Sequence, residues 1–316
     1  NEWIDYNKTY YKFKIATTGL YRIPQSALAA LGLGNVNASD FQLWHNGEEV
    51  PIYTSVQNAP LGPGGYIEFW AEMNDGRPDL PLYRNPDWQL NDKISLLTDS
   101  ASYFLTVNPG GSNRHYVNSP NNVAGNTLPA DQYFMHKAGV YYKNKINSGR
   151  SEVVGKSFTY SSSYDQGEGY TSNDIAAGGT LTGNLTSLRT YTGPNAPQSQ
   201  LRVNLTGNAT NARKFKISVN GDSLYGGSVD YYEYRKVSVN LPTDLIASGT
   251  AAVQISNTGT AANDRMVVAT IEMTYPRVFH FSNLRVFPFE LQANPNGNFL
   301  DIVTFNHTSV KPLLYD

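Results

Sequence analysis

Apolar and polar residues alternate through residues 10–15 (YYKFKI). Tyr11, Phe13 and Ile15 fall on one side and Lys12 and Lys14 on the other, the period of a half-buried β-strand. Short aromatic runs of the same kind follow one another through the first hundred residues: 2–6 (EWIDY), 19–23 (GLYRI), 41–44 (FQLW), 48–53 (EEVPIY), 66–70 (YIEFW) and 103–107 (YFLTV). Asn46-Gly47 between two of these runs is a hairpin signal, because both residues tolerate the positive φ that a tight β-turn needs. Residues 24–31 (PQSALAAL) predict a helix of about two turns, with proline at its start and Gly32 behind its end.

Between 108 and 126 the pattern gives way to Pro, Gly, Ser and Asn, the composition of a connecting segment. Residues 131–147 are apolar enough for a strand or a short helix, and periodicity does not decide between them. From 157 onward the chain is β again, with runs at 180–188, 201–205, 214–219, 231–241, 251–256 and 266–275, and last strands within 279–291 and 298–305. Turn clusters such as Asn220-Gly221-Asp222 separate them, a spacing typical of a sandwich or jelly roll. The expected fold is therefore mainly all-β: two β domains, the C-terminal one a β-sandwich or jelly roll, with one or two short helices. The expected division is 1–107 for the first domain, 108–150 for the connection and 151–316 for the sandwich.

Composition sharpens this picture. Aromatic residues make up 12% of the 316 residues, with 22 Tyr, and charged residues only 16%, as in β-rich extracellular proteins. The formal net charge of −2, with scattered basic residues, leaves no electrostatic footprint for nucleic acid. Cysteine is absent, which excludes disulfides, thiolate catalysis and Cys-ligated metals in this chain. No run approaches the ~20 apolar residues of a membrane span. The chain opens at Asn1 without Met or a leader, which reads as a processed or trimmed start, and 312–316 (PLLYD) reads as a cut end.

Few residues are placed for chemistry. Residues 74–79 (NDGRPD) carry two carboxylates, an amide carbonyl and a glycine turn, so Asn74, Asp75 and Asp79 are candidate Ca²⁺ ligands. The same residues make a tight turn with Asx hydrogen bonds, and that reading is favoured; no cofactor is expected. Asp165 and Glu168 sit among glycines (DQGEGY), where they suit a loop better than a cation, glycan or glycosidase site. In Tyr231-Tyr232-Glu233-Tyr234, consecutive strand positions would point to opposite faces, so a tyrosine there would stand outside. Tyr231, Tyr232 and Tyr234, with Asp165 and Glu168, are the candidate contacts for a ligand or partner. The histidines (His45, His115, His136, His280 and His307) show no ligand spacing, and there is no Gly-x-Ser-x-Gly elbow.

The ordered series EWIDY, YYKFKI, GLYRIP, Gly47-Glu48-Glu49, YIEFW, NDGRPD, Leu82-Tyr83-Arg84, residues 95–99 (SLLTD) and YFLT resembles the N-terminal, non-catalytic region of the gingipain-like cysteine peptidases of Bacteroidetes. That group includes the PorU-like sortases of type IX secretion. Residues 167–170 (GEGY) and the closing PLLYD add looser likeness, the latter resembling the lead-in to the peptidase domain. The resemblance implies a secreted or cell-surface protein of a Gram-negative bacterium and a downstream caspase-like domain with a Cys/His dyad. Neither catalytic residue has a counterpart here, so the chain itself is not expected to be an enzyme. It would be an accessory region that orients or shields the peptidase. Its expected partners are the peptidase domain of the same chain and secreted substrates or secretion-system proteins. The alternative is a glycan-binding surface module using exposed aromatics, and a carboxylate-based hydrolase ranks behind both.

Overall fold

The computed structural model of the chain describes residues 2–150, 152–154, 157–159, 164–308 and 311–316. The protein is mainly β, with one six-residue α-helix and a few 3-10 turns among the described residues. It divides into two compact units that are discontinuous in sequence. The first comprises Asn1–Asp75, Leu97–Asn126 and Pro312–Asp316; the second comprises Gly76–Leu96 and Thr127–Lys311.

In the first unit the strands are β1 (Tyr11–Ile15), β2 (Gly19–Pro24), β3 (Phe41–His45), β4 (Glu48–Val50), β5 (Tyr53–Thr54), β6 (Tyr66–Ala71) and β7 (Ala101–Val107), with α1 (Gln25–Ala30) after β2. They form two antiparallel sheets, ordered β1-β7-β3-β4 and β2-β6-β5. Leu43, Tyr103 and Leu105 of the first sheet share one core with Ile67 and Phe69 of the second and Leu28 of the helix. Full burial of a side chain such as Leu43 or Ile67 contributes about 1.5–3 kcal/mol each. Asn46 and Gly47 take φ of 49° and 81°, the mirror-image turn that suits the strand twist, and join β3 to β4.

Two expectations for this unit change. Residues 2–6 form no strand; Trp3 packs instead on Tyr10, Trp44 and Phe104, at ring distances of 5.2–5.8 Å. The run 48–53 breaks because Pro51 has no N–H to donate to a ladder, so β4 ends at Val50 and β5 starts at Tyr53. The segment 108–126 does not merely connect. Its first part is tied down by Ile52 N–H to Arg114 O (3.0 Å), Tyr116 N–H to Ile52 O (2.9 Å) and a contact of His115 Nε2 with Phe41 O (2.8 Å).

The second unit is a β-sandwich. Its strands are β8 (Phe134–Tyr141), β9 (Lys145–Asn147), β10 (Glu152–Val154), β11 (Ser157–Thr159), β12 (Gly169–Thr171), β13 (Ile175–Ala176), β14 (Thr180–Leu185), β15 (Ser199–Gly207), β16 (Ala212–Val219), β17 (Asp222–Asp230), β18 (Tyr234–Leu241), β19 (Ala251–Asn257), β20 (Arg265–Arg277), β21 (His280–Leu284) and β22 (Val303–Phe305). One sheet runs β13-β20-β15-β18 with β8 also on β20; the other runs β14-β19-β16-β17. Leu201, Val203 and Ile271 from one meet Phe215, Ile217 and Val253 from the other in a single core. The undecided stretch 131–147 is therefore strand, β8 lying antiparallel to β20 and β9 to β12.

Strand β17 lies in a stretch that reads as turns, because Gly226, Gly227 and its serines hide the alternation. The Asn220-Gly221 turn (φ 51° and 95°) nonetheless delivers it against β16, Lys216 opposite Gly226. The expected run 279–291 is strand only to Leu284, and 298–305 only from Val303, where the two pair in parallel. Gly76–Leu96 joins this unit through Asn204, whose side-chain amide donates to Leu90 O at 2.8 Å.

Candidate functional site

The six residues 74–79 divide between the units. In the first, Asn74 donates its side-chain amide to Thr98 O (2.6 Å) and its backbone N–H to Asp99 O (2.9 Å). In the second, Asp79 is 2% exposed, and its two oxygens accept from the Ser95 hydroxyl (2.9 Å) and the Leu96 N–H (2.8 Å). Asp79 thus pins the far end of its own loop. A Cβ on Gly76 would stand 2.7 Å from Asn91 O, so only glycine fits that approach. Among the described residues no cluster of three or more His, Cys, Asp or Glu is placed to hold a metal ion.

Asp165 and Glu168 do come together with part of the tyrosine segment. The 165–168 turn closes on itself, Asp165 N–H donating to Glu168 Oε2 (2.9 Å) and Glu168 N–H to Asp165 O (3.0 Å). Gly167, at φ 80°, supplies the left-handed residue. Asn147 and Arg150 hold it from one flank, through Gly167 O (2.9 Å) and Gln166 O (2.9 Å). Tyr83 holds it from another, its hydroxyl donating to Glu168 O at 2.9 Å. Asp165 is fully buried, with Oδ1 3.4 Å from Nε of Arg84. Burial raises the Glu168 carboxyl above its ordinary pKa; the Asp165 charge adds to this and the Asp165 N–H opposes it.

Gln166 then reaches the tyrosines, its side-chain amide donating to Tyr232 O at 2.8 Å, while the Thr206 hydroxyl donates to Glu233 O at 3.0 Å. The Arg150 guanidinium lies over the Tyr232 ring, 5.0 Å from its centroid. Residues 231–233 are a turn and not the start of a strand, since Tyr231 has φ 49°; the rule of alternating faces does not apply to them. Tyr231 is 45% exposed for that different reason, and Tyr234 opens β18 opposite Thr206. The assembly is a polar knot in which each carboxylate is engaged by the chain. Its partners Tyr83, Arg84 and Thr206 lie 26 to 85 residues from the groups they bind, so no local motif announces them.

The outer face of the four-stranded sheet bears on sugar binding. Thr180, Ser256, Lys216 and Gly226 form one row across it, and Thr182, Gln254 and Ser218 a second. A shallow depression of about 510 Å³ over Gly226 and Gly227 is bordered by Lys214 and Lys216. The aromatic ring beside it, Phe215, is 2% exposed and belongs to the core, so among the described residues bordering the depression no ring is open for stacking.

At the end of the chain, Tyr315 docks within the first unit. Its hydroxyl donates to Glu68, and its ring lies 4.9 Å from Tyr116 and 6.1 Å from Tyr53. Glu68, 3% exposed, also takes Arg22 as an ion-pair partner. Leu313 and Leu314 before it stay 56% and 65% exposed.

No protein-family model matches the chain, and no curated protein sequence matches it. Among solved structures, it is similar in fold to dimeric latent PorU from Porphyromonas gingivalis, with a TM-score of 0.51 and 12% identity over 86% of this chain. The chain spans about a quarter (24%) of the length of that protein. A CBM36-1 domain of a multidomain xylanase from the hindgut metagenome of Trinervitermes trinervoides aligns with 44% of this chain and 96% of its own, at 9% identity and a TM-score of 0.26. That score is below the level at which two folds count as alike. The fold is thus PorU-like, all-β and sandwich-bearing.

Proposed function

We propose that this chain is a non-catalytic accessory region of a gingipain-type cysteine peptidase of the cell surface, positioned ahead of the peptidase and orienting or shielding it. The observation that carries the reading is the likeness in fold to PorU over 86% of this chain. The absence of cysteine supports a non-catalytic part. The engagement of Asp165 and Glu168 inside a turn supports the same view, because carboxylates that serve the chain are not free to act as an acid/base pair.

The glycan-binding alternative stands behind it, because the open sheet face offers hydroxyls and lysines without a stacking ring. Two assays on the purified chain separate the readings. It is expected to leave Arg, Lys and generic peptide substrates uncleaved and to pass unretarded through immobilised polysaccharides. Cleavage above a buffer control, or retention abolished by free oligosaccharide, would overturn the proposal.

A further inference from the structure

Two adjacent glycines of β17 stand in opposite situations. Gly227 has no room for a side chain: a Cβ there would lie 2.7 Å from the Tyr225 ring and 3.0 Å from Phe215. Packing against the core thus accounts for it. Gly226 points to the outer face of the sheet, where a Cβ would meet no atom within 4 Å, and its backbone takes no positive φ. Neither crowding nor backbone conformation accounts for a glycine there. Glycine inside a strand weakens it, and such a position often marks the close approach of another backbone or a ligand.

The space over Gly226 is the shallow depression of about 510 Å³, which Ser223, Ser228 and Thr258 line together with Lys214 and Lys216. Lys214 lies opposite Ser228 and Lys216 opposite Gly226, so no long side chain of β17 stands in front of either. Both lysines are exposed, and among the described residues neither has an ion pair or a side-chain hydrogen bond. Asp222 and Asp230 close β17 at its two ends, and neither lines the depression. Strand β17 is also the edge of its sheet: β16 pairs with it on one side, and no strand among the described residues pairs with the other. Between its end carboxylates, residues 223–229 (SLYGGSV) hold no charge and no proline, the devices that usually blunt a free edge.

We infer that the free edge of β17 takes up an extended acidic segment of a partner polypeptide as a further strand, with its carboxylates over Gly226 and Ser228 toward Lys216 and Lys214. Two independent features converge on that occupant. The unpaired row of N–H and C=O groups offers main-chain hydrogen bonds to an extended chain, and the lysines select its side chains by charge. The added strand would lie about 10 Å from β16, twice the strand spacing. A lysine and a glutamate reaching toward each other cover that distance, and Gly226 leaves the path open. Side chains of a strand alternate between faces, so every second residue of the segment would stand over the depression. An acidic polysaccharide would meet the same lysines but makes no use of a strand edge, so the edge favours a polypeptide. The inference concerns the second unit alone and does not rest on the peptidase proposal.

The test is fluorescence polarisation of a labelled, end-blocked peptide, TEVEVET, titrated with the whole chain. The neutral peptide TQVQVQT, a backbone N-methylated TEVEVET and polygalacturonate are further arms. Saturable binding of TEVEVET is expected, with a dissociation constant on the order of 0.1–1 mM. The neutral peptide should bind about fivefold more weakly, and the N-methylated one not at all. Lys214→Gln with Lys216→Gln, at exposed positions, should weaken TEVEVET about five- to tenfold and erase its advantage over TQVQVQT. Gly226→Thr should raise the melting temperature, since a β-branched residue suits a strand better, and yet weaken binding about fivefold by filling the depression. No binding, equal binding of TQVQVQT, or undiminished binding by Gly226→Thr would overturn the site. Equal binding of the N-methylated peptide would overturn strand addition. Displacement of the probe by polygalacturonate at a lower carboxylate concentration than by unlabelled TEVEVET would overturn the polypeptide assignment.

Discussion

Nε of Arg213 lies 2.6 Å from Oδ1 of Asp264, and the two side chains are 0% and 1% exposed. The remaining guanidinium nitrogens donate to main-chain oxygens of Ala209 (2.9 Å), Asn211 (2.6 Å) and Tyr231 (2.9 Å). One buried arginine thus gathers the turn before β16, the Tyr231 turn and the start of β20. A buried pair of this kind stabilises little against an apolar replacement, but breaking it leaves a lone charge in the core.

Arg213→Ala should therefore destabilise the second unit by about 3–5 kcal/mol, read as a lower urea midpoint. The paired change Arg213→Met with Asp264→Leu should recover most of that loss. Equal instability of the single and double variants would show that the packing of the arginine matters and its charge does not.

His136 gives the second unit a pH dependence. It stands among Phe134, Tyr275 and Phe287, and burial, aided by the Arg277 charge, lowers its pKa to about 4. The unfolded chain takes up a proton near pH 6.5, the folded one only near pH 4. Stability should then fall as pH drops through that window and be unaffected by this group above it. His136→Phe should flatten the slope of melting temperature between pH 6.5 and 4. An unchanged slope would place the dependence elsewhere.

Asp79 should serve its loop and not a cation. Asp79→Ala removes the carboxylate to which the Ser95 hydroxyl and the Leu96 N–H donate and should cost about 1–3 kcal/mol. Millimolar Ca²⁺ should leave the melting temperature of the unaltered chain where it is, since a ligand of the folded state would raise it. An upward shift with Ca²⁺ that disappears in Asp75→Ala would establish the metal reading instead.

Limited proteolysis should begin within 117–126. Those residues are exposed and outside any strand, whereas 113–116 are held to Ile52, Phe41 and Ser39. First cleavage inside 101–116 would contradict the hydrogen bonding described.

The alternation in 10–15 and the Asn-Gly turns at 46–47 and 220–221 were readable from the chain, because period and turn chemistry are local properties. Strand β17 was not, since Gly226 and Gly227 carry no alternation and only its partner β16 sets its register. The strand in 131–147 became decidable only with β20 beside it. The placement of Gly76–Leu96 in the second unit rests on contacts such as Asn204 with Leu90, 114 residues apart, which no pattern in the loop announces.

The most direct test of the central proposal is to read the gene onward from the codon for Asp316. The account predicts a caspase-like domain carrying a Cys nucleophile and its His partner. A stop codon there, or a following domain without that dyad, would contradict it.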